Sequence, residues 1–124
     1  MQKTILTIED DFHLRELEVA KLKKEGFDVQ AASGGEEFLK ILESNKKNDL
    51  IILDLMLPDV NGFELLKTIK KDPTLAKTPV VVFSNLSEEK DINEAKKIGV
   101  SDFLVKSNFH LDDLIKKIRE IVGK

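Results

Sequence analysis

Asp54 stands directly after Leu50, Ile51, Ile52 and Leu53. Four apolar residues in unbroken succession suit a parallel strand covered by helices on both faces. Pro58 lies shortly beyond, so the chain leaves the sheet there and the carboxyl group opens onto the strands' C-terminal edge, where open α/β sheets bind ligands. Other apolar runs also end in polar groups. Thr4 to Ile8 is followed by Glu9, Asp10 and Asp11, the run Val80, Val81, Val82, Phe83 by Ser84, and Phe103, Leu104, Val105 by Lys106. Clustered carboxylates repel one another, and the usual remedy at an oxygen-rich site is a hard divalent cation, which favours Mg²⁺. A cation, a lysine ammonium and a hydroxyl arranged about one aspartate would also cradle a phosphoryl group, whose transition-state charge spreads over its equatorial oxygens. Asp54 would then be the nucleophile, and its attack on phosphorus would give an acyl phosphate. Each residue has a plainer reading when taken singly: Asp54 as a strand-end cap, Ser84 as a hydroxyl bonded to backbone, Lys106 as a surface lysine. The chemistry rests on their convergence.

Convergence requires strands that end on one edge. After the first strand, Leu14, Leu17 and Leu22 give a rough helical stripe that stops at Gly26, interrupted by Glu18 on the Leu14 to Leu22 row. Phe27 to Ala31 reads as the second strand. Ser33 and Glu36 have capping-box spacing ahead of a helix carrying Phe38, Ile41 and Leu42. After the central strand, Asn61 and Glu64 predict a helix start before Leu65, Leu66 and Ile69, and Asp72 with Pro73 marks its exit. Ser87 is the expected cap of a polar helix with Ile92, Ala95 and Ile98 inward and Gly99 at its end. Leu111, Leu114, Ile115, Ile118 and Ile121 form the clearest amphipathic stripe, closed by Gly123. Strict alternation of strands and helices implies right-handed crossovers and a single parallel sheet covered on both faces. No linker, repeat or low-complexity segment interrupts it, so the expectation is one domain over residues 1–124.

Composition narrows the function classes. A chain of 124 residues can bury about 70% of its unfolded surface. Without cysteine there is no disulfide framework, thiolate nucleophile or Cys-bound metal. No signal peptide or membrane-length apolar run is visible, so a cytoplasmic location and no membrane partner are expected. A net charge of −3 and a pI near 5.5 argue against direct nucleic-acid binding, which needs a clustered excess of Lys and Arg. Charged residues make up 35% of the chain against about 25% in typical domains. A heavily solvated helical surface and adaptation to heat explain that equally well.

The full set of residues resembles the response-regulator receiver domain of two-component signalling, in its chemotaxis-regulator-like form, from Ile5 through Val122. The resemblance rests on the Glu9-Asp10 pair after a strand, the block LDLMLPDVNG around Asp54, Ser84 after PVVVF, and Lys106 after DFLV, in the family's order and approximate spacing. It implies a flavodoxin-like five-stranded sheet in the order 2-1-3-4-5, which would bring the four polar tips into one crevice. It also implies that Asp54 accepts phosphate from a phosphohistidine on a sensor histidine kinase or phosphotransfer protein. Asp10, Asp54 and the Met56 carbonyl would bind Mg²⁺ directly, and Glu9 through a water. Lys106 would pair with Asp54 or with the phosphoryl oxygens, Ser84 would hydrogen-bond the phosphoryl group, and Phe103 would be the switch aromatic. Such a protein is not a conventional enzyme, though it catalyses its own phosphorylation and dephosphorylation. It signals by a population shift between two protein-binding surfaces.

Some positions depart from the pattern. Ser107 stands where the family usually has proline, and the segment to Leu111 is a residue longer. A cis bond before a non-proline residue costs about 2.5 to 4 kcal/mol, so the Lys106–Ser107 bond is expected to be trans, with Lys106 still reaching Asp54. Asn85 replaces a small residue beside the phosphoryl pocket, while Ser84 and Phe103 keep the hydroxyl and ring of the commoner Thr and Tyr. The competing functional class is a pseudo-receiver that binds partners without phosphorylation. A metal-dependent phosphatase with an aspartyl nucleophile usually needs a second acid in a DxD pattern, and Met56 occupies that place. The output is expected to pass to a downstream protein target or to an effector domain outside this chain. The end at Lys124 fits a single-domain regulator and a piece of a longer protein alike.

Overall fold

The computed structural model describes residues 2–44 and 47–123. Five strands, β1 (Thr4–Ile8), β2 (Asp28–Ala32), β3 (Leu50–Leu53), β4 (Val80–Ser84) and β5 (Asp102–Val105), form one parallel sheet in the order β2-β1-β3-β4-β5. The register sets Ile8 beside Leu53, Leu53 beside Val82 and Val82 beside Phe103, so the tips of the four strands β1, β3, β4 and β5 lie along one edge. The helices are α1 (Phe12–Lys24), α2 (Gly35–Glu43), α3 (Gly62–Lys71), α4 (Glu89–Ile98) and α5 (Leu111–Val122).

Alternate residues of each central strand feed two cores, because successive side chains point to opposite faces of a sheet. Leu6, Ile8, Ile51, Leu53, Val80 and Val82 pack with Phe38 of α2, Leu65, Leu66 and Ile69 of α3, and Ala95 of α4. On the other face Ile5, Leu50, Ile52, Val81, Phe83 and Leu104 pack with Leu22 of α1 and Leu114, Ile115 and Ile118 of α5. Continuous apolar runs in β3 and β4 follow directly, since both faces are covered.

Helix starts show which local signals decide structure. Asn61 caps α3 as expected, its Oδ1 accepting from Phe63 N at 2.9 Å and Glu64 N at 3.1 Å. Ser87 is not a cap, because α4 starts after Glu88, which makes no side-chain capping bond. Nor does Ser33 cap α2. The N-cap is Gly34, Glu37 rather than Glu36 accepts from the Ser33 amide, and the first amides of the helix are taken by Asp59 from another loop. The glycines expected to stop α1, α4 and α5, Gly26, Gly99 and Gly123, all have positive φ.

Gly62 is fixed by close approach. A Cβ there would stand 2.1 Å from the Leu55 carbonyl oxygen and 2.5 Å from Leu55 Cα, so α3 starts in backbone contact with the segment that follows Asp54. Gly62→Ala must push that segment away, and overpacking of this kind costs about 1–3 kcal/mol. The expected result is a lower urea midpoint with an unchanged m-value; an unchanged midpoint would remove this role for the glycine.

Candidate functional site

At the C-terminal edge of the sheet the loops after β1, β3 and β5 bring four side chains together. Asp54, 3% exposed, directly follows β3, and its N–H extends the ladder by donating to Ile8 O at 3.1 Å. Lys106 Nζ lies 2.7 Å from Asp54 Oδ2 and 2.8 Å from Glu9 Oε1. The other oxygen of each carboxylate accepts a backbone amide: Asp54 Oδ1 from Met56 N at 2.9 Å, Glu9 Oε2 from Asp11 N at 3.1 Å. Carboxylate oxygens of Glu9, Asp10 and Asp54 lie within 4.8 Å of one another, with Glu9 and Asp54 buried and Asp10 exposed.

This geometry sets the electrostatics. Burial pushes the Glu9 carboxyl up to about 7, against the hydrogen bond and charge of Lys106, which pull it down, while Asp54 adds repulsion. Burial by itself would lower the Lys106 ammonium, but hydrogen bonds and charge from Asp54 and Glu9 together outweigh it and hold the lysine above its ordinary value. One ammonium is therefore shared between two buried carboxyl groups. Three converging carboxylates with a single cation among them fit a hard divalent ion, whose ligands are oxygens.

Other sequence candidates are placed differently. Ser84 is fully buried and its Oγ accepts from Leu86 N at 3.3 Å, which leaves its O–H to donate. Phe103 is buried and packs in the core facing α2, α3 and α4. Met56 is 53% exposed, and its backbone, not its thioether, meets Asp54. Asp11 belongs to α1 instead of the cluster: its Oδ1 caps the helix at Leu14 N, 3.0 Å, and that bond holds its carboxyl below the ordinary range. Among the described residues no peptide bond is cis, so Lys106–Ser107 is trans as expected. A 3-10 turn over Lys106–Asn108 redirects the chain, and His110 N then donates to Asp113 Oδ2 at 2.9 Å at the start of α5.

Two contributors lay outside the sequence reading. Arg15 Nη1 donates to the Glu9 carbonyl at 2.8 Å and reaches the Asp10 carbonyl at 3.4 Å, fixing the acidic loop from the first turn of α1. Its guanidinium also stacks 5.5 Å from the Phe12 ring centroid. The spacing from Asp10 to Arg15 was the available signal, since a residue one turn into a helix can reach back over the preceding loop. Asp59 is the other, and nothing local marks it as the cap of a distant helix.

The sequence profile of the response regulator receiver domain matches residues 5–119. The chain belongs to that family. The transcriptional regulatory protein CrdR of Helicobacter pylori is 37% identical over 119 residues, covering 96% of this chain and 54% of that protein. The cell cycle response regulator CtrA of Brucella ovis is 36% identical over 120 residues, covering 97% of this chain and 50% of that protein. The chain thus spans about half the length of these curated relatives. A CheY-like receiver domain structure from Methanospirillum hungatei superposes with a TM-score of 0.90 at 25% identity, over 99% of this chain and 95% of that one. The flavodoxin-like order 2-1-3-4-5 is the order observed here. Receiver domains of this family bind Mg²⁺ at an acidic site and work with histidine kinases and downstream effectors in two-component systems. Among the described residues no helix is long and apolar enough to cross a membrane.

Proposed function

We propose that this chain is a single phosphorylatable receiver unit in which Asp54 takes a phosphoryl group from a phosphohistidine of a sensor kinase or phosphotransfer protein. The observation that carries the reading is the contact of Lys106 Nζ with Asp54 at 2.7 Å and Glu9 at 2.8 Å, beside the three-carboxylate cluster. An Asp54 oxygen forms the new bond to phosphorus as the P–N bond of the donor breaks, and the imidazole keeps that electron pair. Lys106 pairs with Asp54 beforehand and with phosphoryl oxygens afterwards. Ser84, whose O–H is available, donates to the phosphoryl group once it forms, and Phe103 repacks behind it.

Asp10, Asp54 and the Met56 carbonyl would hold Mg²⁺, with Glu9 acting through a water. The ion would supply neutralisation of the charge that develops on the transferring group. Phosphorylation then biases the surface of α4, β5 and α5 toward one of two arrangements, read by a downstream protein or by an effector domain of a longer protein. The halves of CrdR and CtrA that this chain does not span make the second route concrete. A cytoplasmic setting suits such a relay. Intact-mass measurement after incubation with Mg²⁺ and a small phosphodonor tests the reading. Gain of one phosphoryl mass is expected, and none under saturating donor would return the chain to a phosphorylation-independent binding module.

The two exposed aspartates after β1 divide the work. Asp10→Asn is expected to weaken Mg²⁺ binding by roughly tenfold or more, the scale of losing a group that holds or orients a metal ligand. Asp11→Asn should leave it nearly unchanged, because that carboxylate is committed to the α1 cap. An NMR titration reads both, since Trp and Tyr are absent. Equal losses would undo the division.

A further inference from the structure

The structure assigns to Asp59 a positioning role: from the loop after Asp54 it caps α2, and that clasp holds the Met56 segment where the cation and phosphoryl group are received. The inference rests on the receiver reading above. Asp59 uses both carboxylate oxygens, Oδ1 accepting from Gly35 N at 3.1 Å and Oδ2 from Glu36 N at 2.9 Å. A carboxylate at a helix N-terminus satisfies amides that have no partner inside the helix and meets the positive end of its dipole. Those two bonds hold the Asp59 carboxyl below its ordinary range even though the residue is exposed.

The helix is built to be capped from elsewhere. Its own N-cap is Gly34, which has no side chain to offer. A Cβ on Gly34 would stand 2.8 Å from Asp59 Oδ1, and one on Gly35 would stand 2.4 Å from a Val60 methyl carbon. Two successive glycines thus admit the β3–α3 loop against the helix. That loop is fixed at its start by Met56 N on Asp54 Oδ1 and at its end by Asn61 and Gly62. Asp59 is its anchor in between. Between Met56 and Asp59 lie only Leu57 and Pro58, and proline fixes its own φ, so displacement at Asp59 is passed to the Met56 carbonyl and not absorbed. A cap built into α2 itself would stabilise the helix equally well and leave the loop untethered.

That difference gives the test. Asp59→Ala is expected to lower the melting temperature and to weaken Mg²⁺ binding about tenfold, the low end of the effect of removing a group that orients a metal ligand. The paired variant Asp59→Ala/Gly34→Asp moves the carboxylate from the loop to the helix. The three atoms nearest a Gly34 Cβ all belong to the Asp59 carboxylate and vanish in it. The Gly34 backbone, at φ −174°, is extended and accepts any residue. Charge and cap are thereby preserved and only the tether is cut. The melting temperature should return while Mg²⁺ affinity stays about tenfold weak. Recovery of both would make Asp59 merely a cap and overturn the inference, as would wild-type affinity in Asp59→Ala. Should Asp59→Ala fail to fold, Asp59→Asn, which keeps one acceptor, serves with a smaller expected loss, and unchanged affinity in it would be equally fatal. Absence of Mg²⁺ binding by the wild-type protein would overturn the receiver reading and this inference with it. Wild-type binding that no variant disturbs overturns this inference alone.

Discussion

Asp54→Asn is expected to abolish uptake of the phosphoryl group from a small donor with Mg²⁺ present, leaving a single unmodified mass. An amide nitrogen or oxygen in that place lacks the anionic oxygen that attacks phosphorus, and no neighbour can take over. Glu9 is 1% exposed, with one oxygen on Lys106 and the other on the Asp11 amide. Asp10 is exposed and forms no salt bridge with Lys106 among the described residues. The variant should also stay folded, because replacing one of two buried carboxylates that share an ammonium relieves repulsion. Asn can still accept from Met56 N. Loss of modification then reports chemistry and not unfolding. A phosphoryl mass on Asp54→Asn would move the nucleophile elsewhere.

The sequence carried the site more clearly than it carried some of its supports, and the residues show why. Asp54, Ser84 and Lys106 were readable because each directly follows an apolar run, and a strand's end is a local event. Continuous runs at β3 and β4 signalled burial on both faces. Nothing in periodicity orders the strands; the order 2-1-3-4-5 came with the family resemblance. Caps divide the same way. Asn61 was legible because donor and acceptor sit within one turn, whereas Asp59 reaches Gly35 and Glu36 across 24 and 23 positions. Ser33 and Ser87 had cap-like residue types, but in both cases the N-cap is the next residue, Gly34 and Glu88. Helix α1 was the least legible, with only Leu22 and Glu18 of its residues fully buried and with Phe12 and Leu17 more than half exposed. An acid turned inward and two large apolar groups turned outward erase a hydrophobic stripe.

Glu18 itself yields the last expected result, a slope of stability against pH that Glu18→Gln removes. The residue is 1% exposed, and its carboxyl takes a hydrogen bond from the hydroxyl of fully buried Thr7 and leaves Oε2 without a partner among the described residues. Thr7 lies on the strand face shared with Ile5, which belongs to the core beneath α1 and α5. Burial raises the Glu18 carboxyl from 4.5 to about 8, with Thr7 pulling it down, Glu9 and Asp54 adding repulsion and Lys106 opposing them. The folded protein therefore holds a proton that the unfolded chain gives up near 4.5. Stability is fully present below that pH and is lost as pH rises toward 8, at a slope of roughly 1.4 kcal/mol per pH unit. Across the whole interval the loss amounts to roughly 5 kcal/mol, an upper figure for a site that water cannot reach. Glu9 adds a second loss of the same sign below about 7, but it is present in both proteins and cancels in their difference. Glutamine keeps the shape and an acceptor for Thr7 and cannot ionise. Urea unfolding of the two proteins at pH 5 and at pH 9 should show the variant gaining several kcal/mol relative to wild type at the higher pH. A difference that is the same at both values would mean that Glu18 remains ionised in the folded core, with charge from Lys106 sufficient to hold it.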